Sequence, residues 1–220
     1  MELKIILSAN AGVSVEIGER RFYVDALHNT PSGGFSALSG GMPEEFISYA
    51  GAPDVILYTH LHPDHYSAEL TEKLCRDFPE AALVMSEKKC VKEFGFASVS
   101  LMPLFHMGEY RSIPNCGIII ETAGKKLFFS GDSDPEDSDV LETIDGLCPD
   151  FAVLNFNWIT LLSGRAALKK LNPTHAAFAH LPFPEDDKEG YIRPTLHCRD
   201  RHRPGDIVLY RFLQTETVDI

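Results

Sequence analysis

Long apolar runs are missing from this chain of 220 residues. Its stretches of Val, Ile, Leu and Phe have strand length, far short of the roughly 20 residues that carry a helix across a bilayer. A membrane is therefore not an expected partner. Basic residues are scarce as well: 20 Lys and Arg stand against 32 Asp and Glu, a formal net charge of −12. Nucleic acids and anionic membrane surfaces both reward a basic face, so nucleic acid is not expected either. The five cysteines, Cys75, Cys90, Cys116, Cys148 and Cys198, are odd in number, scattered, and form no C-x-x-C. That usage suits reduced thiols rather than a disulfide framework and points to a cytoplasmic protein. Lys4 followed by the residues from Ile5 to Ala11 imitates a short signal peptide. Its apolar run is too brief for one, and a first β-strand explains the same residues.

What is present is ordinary globular material, 44% apolar and 24% charged, long enough for one sizeable core. No repeat or low-complexity tract divides it, and a single domain over residues 1–220 is expected. Apolar runs at 1–7, 13–17 and 21–24 read as a β-meander. Residues 27–51 are rich in Gly, Ser and Pro, with a short helix near 43–49; a loop of that length is either a binding loop or a surface excursion. A helix at 67–77, a strand at 82–85, a helix at 86–94 and a strand at 99–104 come next. A hairpin at 116–122 and 126–130 turns at Ala123-Gly124. Asp134-Pro135-Glu136 is expected to open a helix to Ile144, with Pro at the first helical position. A strand at 151–154, a helix at 161–171, a strand at 176–179 and a closing strand at 207–212 complete the pattern, which predicts α/β layers.

One segment concentrates chemistry. Thr59-His60-Leu61-His62-Pro63-Asp64-His65 follows the apolar run from Val55 to Tyr58 and packs three imidazoles and a carboxylate into six residues. Those are the ligands of a borderline divalent metal such as zinc. A His-rich surface turn would account for one of them, not for four. His60 and His62 can face one metal, Asp64 and His65 another. Three more ligand-type residues stand where strands run out: His106 after Phe105, Asp132 after Gly131, and His180 after Ala179. Each alone reads as a packed histidine or a turn acid. Together they make a set gathered at strand ends.

On these residues the chain resembles the metallo-β-lactamase superfamily, and within it the small metal-dependent hydrolases related to ascorbate-6-phosphate lactonase. The resemblance runs through most of the chain: the meander ending in Val24-Asp25, T-H-L-H-P-D-H at 59–65, His106, F-F-S-G-D-S at 128–133 and A-F-A-H at 177–180. It implies a four-layer αββα sandwich. It implies His60, His62 and His106 around one metal, Asp64, His65 and His180 around the other, and Asp132 bridging them. Relatives often carry Gly-His-Ala or Gly-Gln-Ala at the end of the first strand. Here the residues are Ser8-Ala9-Asn10-Ala11, with Asn10 available as a hydrogen-bond donor.

The expected chemistry is hydrolysis of a small polar or anionic lactone, ester or phosphodiester. Two divalent ions, zinc or manganese, would share a hydroxide as nucleophile, with Asp64 as the catalytic carboxylate that orients it. Asn155, Asn157 and Trp158 stand near a strand end and read either as pocket residues or as turn asparagines beside a packed aromatic. The basic run Arg193, Arg199, Arg201, His202, Arg203 reads as an anion clamp, solvated charge or a contact in a homo-oligomer. His28, His175 and His197 lack the motif context. The alternatives are a metal-dependent oxidoreductase and an RNA-processing nuclease. The flavo-diiron oxidoreductases place Glu where this chain has His62, and the acidic balance opposes RNA. A non-catalytic binding protein is disfavoured because every ligand position is filled.

Overall fold

The computed structural model describes all 220 residues. The chain forms two compact units: Met1–Met85 with His180–Ile192 and Leu209–Asp219, and Ser86–Ala179 with Arg193–Val208 and Ile220. No helix is long and apolar enough to cross a membrane.

The first unit is built on a six-stranded mixed sheet of order β13-β1-β2-β3-β4-β5. β1 (Glu2–Leu7), β2 (Val13–Ile17) and β3 (Arg20–Val24) form the expected antiparallel meander, while β4 (Val55–Leu57) and β5 (Ala82–Val84) run parallel to β3. Parallel neighbours need a crossover, which α1 (Met42–Ala50) and α2 (Ala68–Asp77) supply. Ser67 caps α2 by accepting from Leu70 N, and buried Tyr58 shares a 2.6 Å hydrogen bond with Thr71 on that helix. β3 and β4 consequently finish side by side, and their carboxyl ends present Asp25 and the segment from Thr59 to His65.

The second unit carries a seven-stranded mixed sheet of order β12-β11-β10-β9-β8-β7-β6. β6 (Cys90–Phe94), β7 (Ala97–Phe105), β8 (Pro114–Thr122) and β9 (Lys125–Phe129) are antiparallel, and β10 (Phe151–Asn155), β11 (His175–Ala179) and β12 (Ile207–Val208) continue parallel to β9. Two reversals make β7 parallel to β9, so β7, β9 and β10 end at one edge with His106, Asp132 and Asn155. Ala123 and Gly124 both take positive φ, 52° and 75°, as a tight two-residue hairpin requires.

Three expectations are corrected. Residues 86–94 are not a helix: Cys90–Phe94 is the edge strand β6, paired with β7 from Cys90↔Leu101 to Phe94↔Ala97. The helix expected from Asp134 starts at Ser138 instead. Asp137 caps this α3 (Ser138–Ile144), its carboxylate accepting from Asp139 N at 2.9 Å and Val140 N at 3.1 Å. The closing strand is not 207–212 but β13 (Thr215–Asp219), antiparallel to β1, while only Ile207–Val208 pairs in the second sheet. The basic run lies on α6 (Ile192–His202) and the turn beyond it, where Arg203 Nε donates to Asp206 at 2.6 Å and Arg199 donates to the Asp206 carbonyl. Those two cations fasten the turn after their own helix.

Candidate metal centre

In the first unit the turn after β4 is wound tightly, His65 N and Tyr66 N both donating to the His62 carbonyl at 2.9 Å. The imidazoles crowd together at tilted and edge-on angles: ring centroids lie 4.6 Å apart for His60 and His62, 4.0 Å for His60 and His65, and 5.2 Å for His65 and His180. One potential ligand atom each from Asp64, His65 and His180 falls within 4.8 Å of the other two, and all three residues are buried. His180 Nε2 is 3.7 Å from Asp64 Oδ2. His180 holds a left-handed φ of 62°, turning its ring off the line of β11.

Asp25 organises this cluster. It is 2% exposed and accepts from Thr59 N at 2.8 Å, Thr59 Oγ1 at 2.6 Å and His65 Nδ1 at 3.0 Å. Because the Thr59 hydroxyl proton goes to Asp25, its oxygen is left to accept from His60 Nδ1, 3.0 Å away. One carboxylate thus fixes Nδ1 as the protonated nitrogen on two histidines and leaves each Nε2 as the lone-pair donor a metal needs. Gly12 lets the turn after β1 lie against Asp25: a Cβ there would strike Ser8 Oγ and the Asp25 carbonyl. Asn10, in that turn, donates to Asp64. His28 is fully buried with Nε2 3.1 Å from the Ala9 carbonyl; burial pushes its pKa down to about 4.

The long loop after β3 is ordered. Ser36 donates to Asp186 at 2.7 Å and accepts from Phe183 N at 2.7 Å. Phe35 sets its ring edge-on to His180, centroids 4.3 Å apart, and lies nearly parallel to Tyr191 at 6.0 Å. A cavity of about 580 Å³ opens beside Phe35, Tyr191 and Lys188.

In the second unit His106 Nε2 is 3.5 Å from Asp132 Oδ2, and His106 Nδ1 meets the Met107 carbonyl at 2.9 Å. Asp132 is held at both ends: its N–H donates to Asn115 Oδ1 at 3.1 Å, and its Oδ1 accepts from Asn155 Nδ2 at 3.2 Å. Asn155 therefore serves the proposed ligand, while Asn157 turns to Met107 Sδ at 3.4 Å. Trp158 walls no pocket. It is 0% exposed in the short helix α4 (Asn157–Thr160), against which α5 (Leu162–Leu171) is laid.

The structure therefore gathers His60, His62, Asp64, His65 and His180 in the first unit, and His106 with Asp132 in the second. The donors are imidazole nitrogens and carboxylate oxygens, a set that suits a borderline divalent metal. Sequence reasoning missed Asp25, Asn115 and the role of Asn155. An acid closing the strand that neighbours the histidine strand was the available signal for Asp25.

No family model and no curated protein matches the sequence. Solved structures do match along its whole length. Igni18, a metallo hydrolase from the hyperthermophilic archaeon Ignicoccus hospitalis, is 16% identical with a TM-score of 0.68, covering 100% of both chains. YhfI from Bacillus subtilis, a metallo-β-lactamase fold protein, is 10% identical with a TM-score of 0.64, covering 99% of this chain and 100% of its own. CmlA, a diiron β-hydroxylase from Streptomyces venezuelae, is 15% identical with a TM-score of 0.57, covering 99% of this chain but 54% of its own. The chain thus has the metallo-β-lactamase fold, the α/β sandwich expected from its motifs.

Proposed function

We propose that this chain is a metal-dependent hydrolase of a small polar or anionic lactone, ester or phosphodiester. His60, His62 and His106 would hold one divalent ion and Asp64, His65 and His180 a second, with Asp132 between them. The observation that carries the reading is the buried Asp64–His65–His180 triad, backed by an Asp25 carboxylate that fixes the histidine tautomer. Such ions, when bound, activate water near neutral pH and polarise the scissile bond. The remaining work belongs to side chains. Asp25, directly at His65 and through Thr59 at His60, keeps the proton of each ring on Nδ1 and Nε2 available as a lone-pair donor. Asp64 would orient the attacking water or carry its proton. Asn115 holds the Asp132 backbone and Asn155 restrains its carboxylate. Phe35 screens His180 from solvent on the side of the cavity. The metallo hydrolase Igni18 supports this class.

A second reading, oxygen-dependent oxidation, draws on the diiron β-hydroxylase that shares the fold. One experiment separates the two. Purified protein is analysed for metal, then assayed on lactones and phosphodiesters under strict anaerobiosis with zinc or manganese as sole additive. Turnover, abolished by chelator and restored by metal, is expected. A requirement for dioxygen or a redox cofactor would overturn the hydrolase reading.

A further inference from the structure

Asn10 is fully buried in the turn after β1, in a left-handed conformation with φ of 51°. Few side chains tolerate that region, and asparagine is one of them. Its Nδ2 donates to the Asp64 carbonyl at 3.2 Å and to Asp64 Oδ2 at 3.3 Å, and lies 3.4 Å from His180 Nε2. Its own carbonyl accepts from His180 N at 3.0 Å, within an isolated bridge to Leu181. One residue therefore touches both Asp64 and His180 through separate groups. Its Oδ1 is buried with no protein partner. An unsatisfied buried acceptor destabilises the fold, a cost that an asparagine kept only for packing would not carry.

We propose that Asn10 is a positioning residue that sets the metal affinity of the Asp64–His65–His180 site, an inference that rests on the metal-pair reading above. A carboxamide suits the task physically. It restrains a carboxylate by a hydrogen bond without adding a positive charge, which a lysine or arginine would set against the incoming cation. By occupying Asp64 Oδ2 and the Asp64 carbonyl, Asn10 removes rotamer freedom from the ligand before the ion arrives. Restraint of this kind is worth about 10–100-fold in metal affinity.

The test uses zinc alone, titrated into the chelator-stripped full chain in competition with a chromophoric chelator. The wild type is compared with Asn10→Gly and Asn10→Ala. Glycine accepts the left-handed backbone and removes only the carboxamide; alanine removes it and strains the turn. Wild type should bind two equivalents. Asn10→Gly should keep the circular dichroism spectrum and thermal midpoint and lose affinity for one equivalent by about 10–100-fold, leaving the other unchanged. Asn10→Ala should show the same selective loss with a lower midpoint. Unchanged affinity at both equivalents, or equal weakening of both alongside a fallen midpoint, would overturn the assignment. Fewer than two equivalents on the wild type would instead overturn the metal-pair reading, and this inference with it.

Discussion

The Asp25 carboxylate accepts from His65 Nδ1 at 3.0 Å, and both side chains are sealed from solvent, 3% and 0% exposed. Buried imidazole and buried carboxylate seldom stand together without a task, since each loses its hydration. Here the same carboxylate also takes the Thr59 amide and hydroxyl. Asp25→Asn keeps the shape and tolerates the positive φ of 50° at this position. It removes the charge that orients His65, so zinc affinity should fall by about 10–100-fold. Chelator competition measures the loss; wild-type affinity in the variant would sink the role given to Asp25. Asp25→Ala should additionally lower the thermal midpoint, because the Thr59 amide is left without an acceptor and an unpaired buried group costs about 1–3 kcal/mol.

Asp132→Ala should abolish hydrolysis and reduce the metal held per chain while leaving the far-ultraviolet circular dichroism spectrum intact. Asn155→Ala should act in the same direction more weakly, since it frees one oxygen of Asp132 without deleting it. Full activity with two metals in Asp132→Ala would refute the bridging role.

His28 gives a pH signature. Burial lowers its folded pKa to about 4 from an ordinary 6.5. Below pH 6.5 the unfolded chain takes up a proton that the folded chain refuses, so this contribution to stability is full above 6.5 and drains away as pH falls toward 4. Between pH 6.5 and pH 5 it is worth on the order of 2 kcal/mol. Urea unfolding of metal-free wild type and His28→Gln at pH 7 and pH 5 isolates it. Parallel losses in the two proteins would show that His28 is not responsible.

Gly164 tests packing apart from the metal. A Cβ there would overlap the Asn157 carbonyl and lie 2.7 Å from Trp158 Cα, both backbone atoms with little room to yield. Gly164→Ala should cost about 1–3 kcal/mol, the usual range for an overfilled site, read as a lowered urea midpoint with unchanged slope.

The candidate ligands were legible because they follow apolar strands, and strand, turn and candidate ligand are neighbours in sequence. What pairs at long range was not. Cys90, Val91 and Phe94 recur at helix-like spacing, but β6 is an edge strand with both faces largely in water, so the alternation that marks a strand is absent. β13 reads T-E-T-V-D, polar but for Val218, and owes its existence to the ladder it forms with β1. Asp137 could not be chosen over Asp134 as the helix cap, since both precede the same helix and only the backbone decides. Asn10, Asn115 and Asn155 act through hydrogen bonds to Asp64 and Asp132, partners 54, 17 and 23 residues away. No local pattern announces such distances.

The interleaving of the two units bears on the order of synthesis. The first unit opens the chain, yet it also needs His180–Ile192 and Leu209–Asp219. When a ribosome has released β1 to β5, the triad still lacks His180, and β1 waits for its outer neighbour until β13 is made. Every strand of the second unit emerges in that interval. From the release of β1 to that of β13 the nascent chain therefore carries an unpaired sheet edge, a natural point for a chaperone to hold or for a stray strand to add.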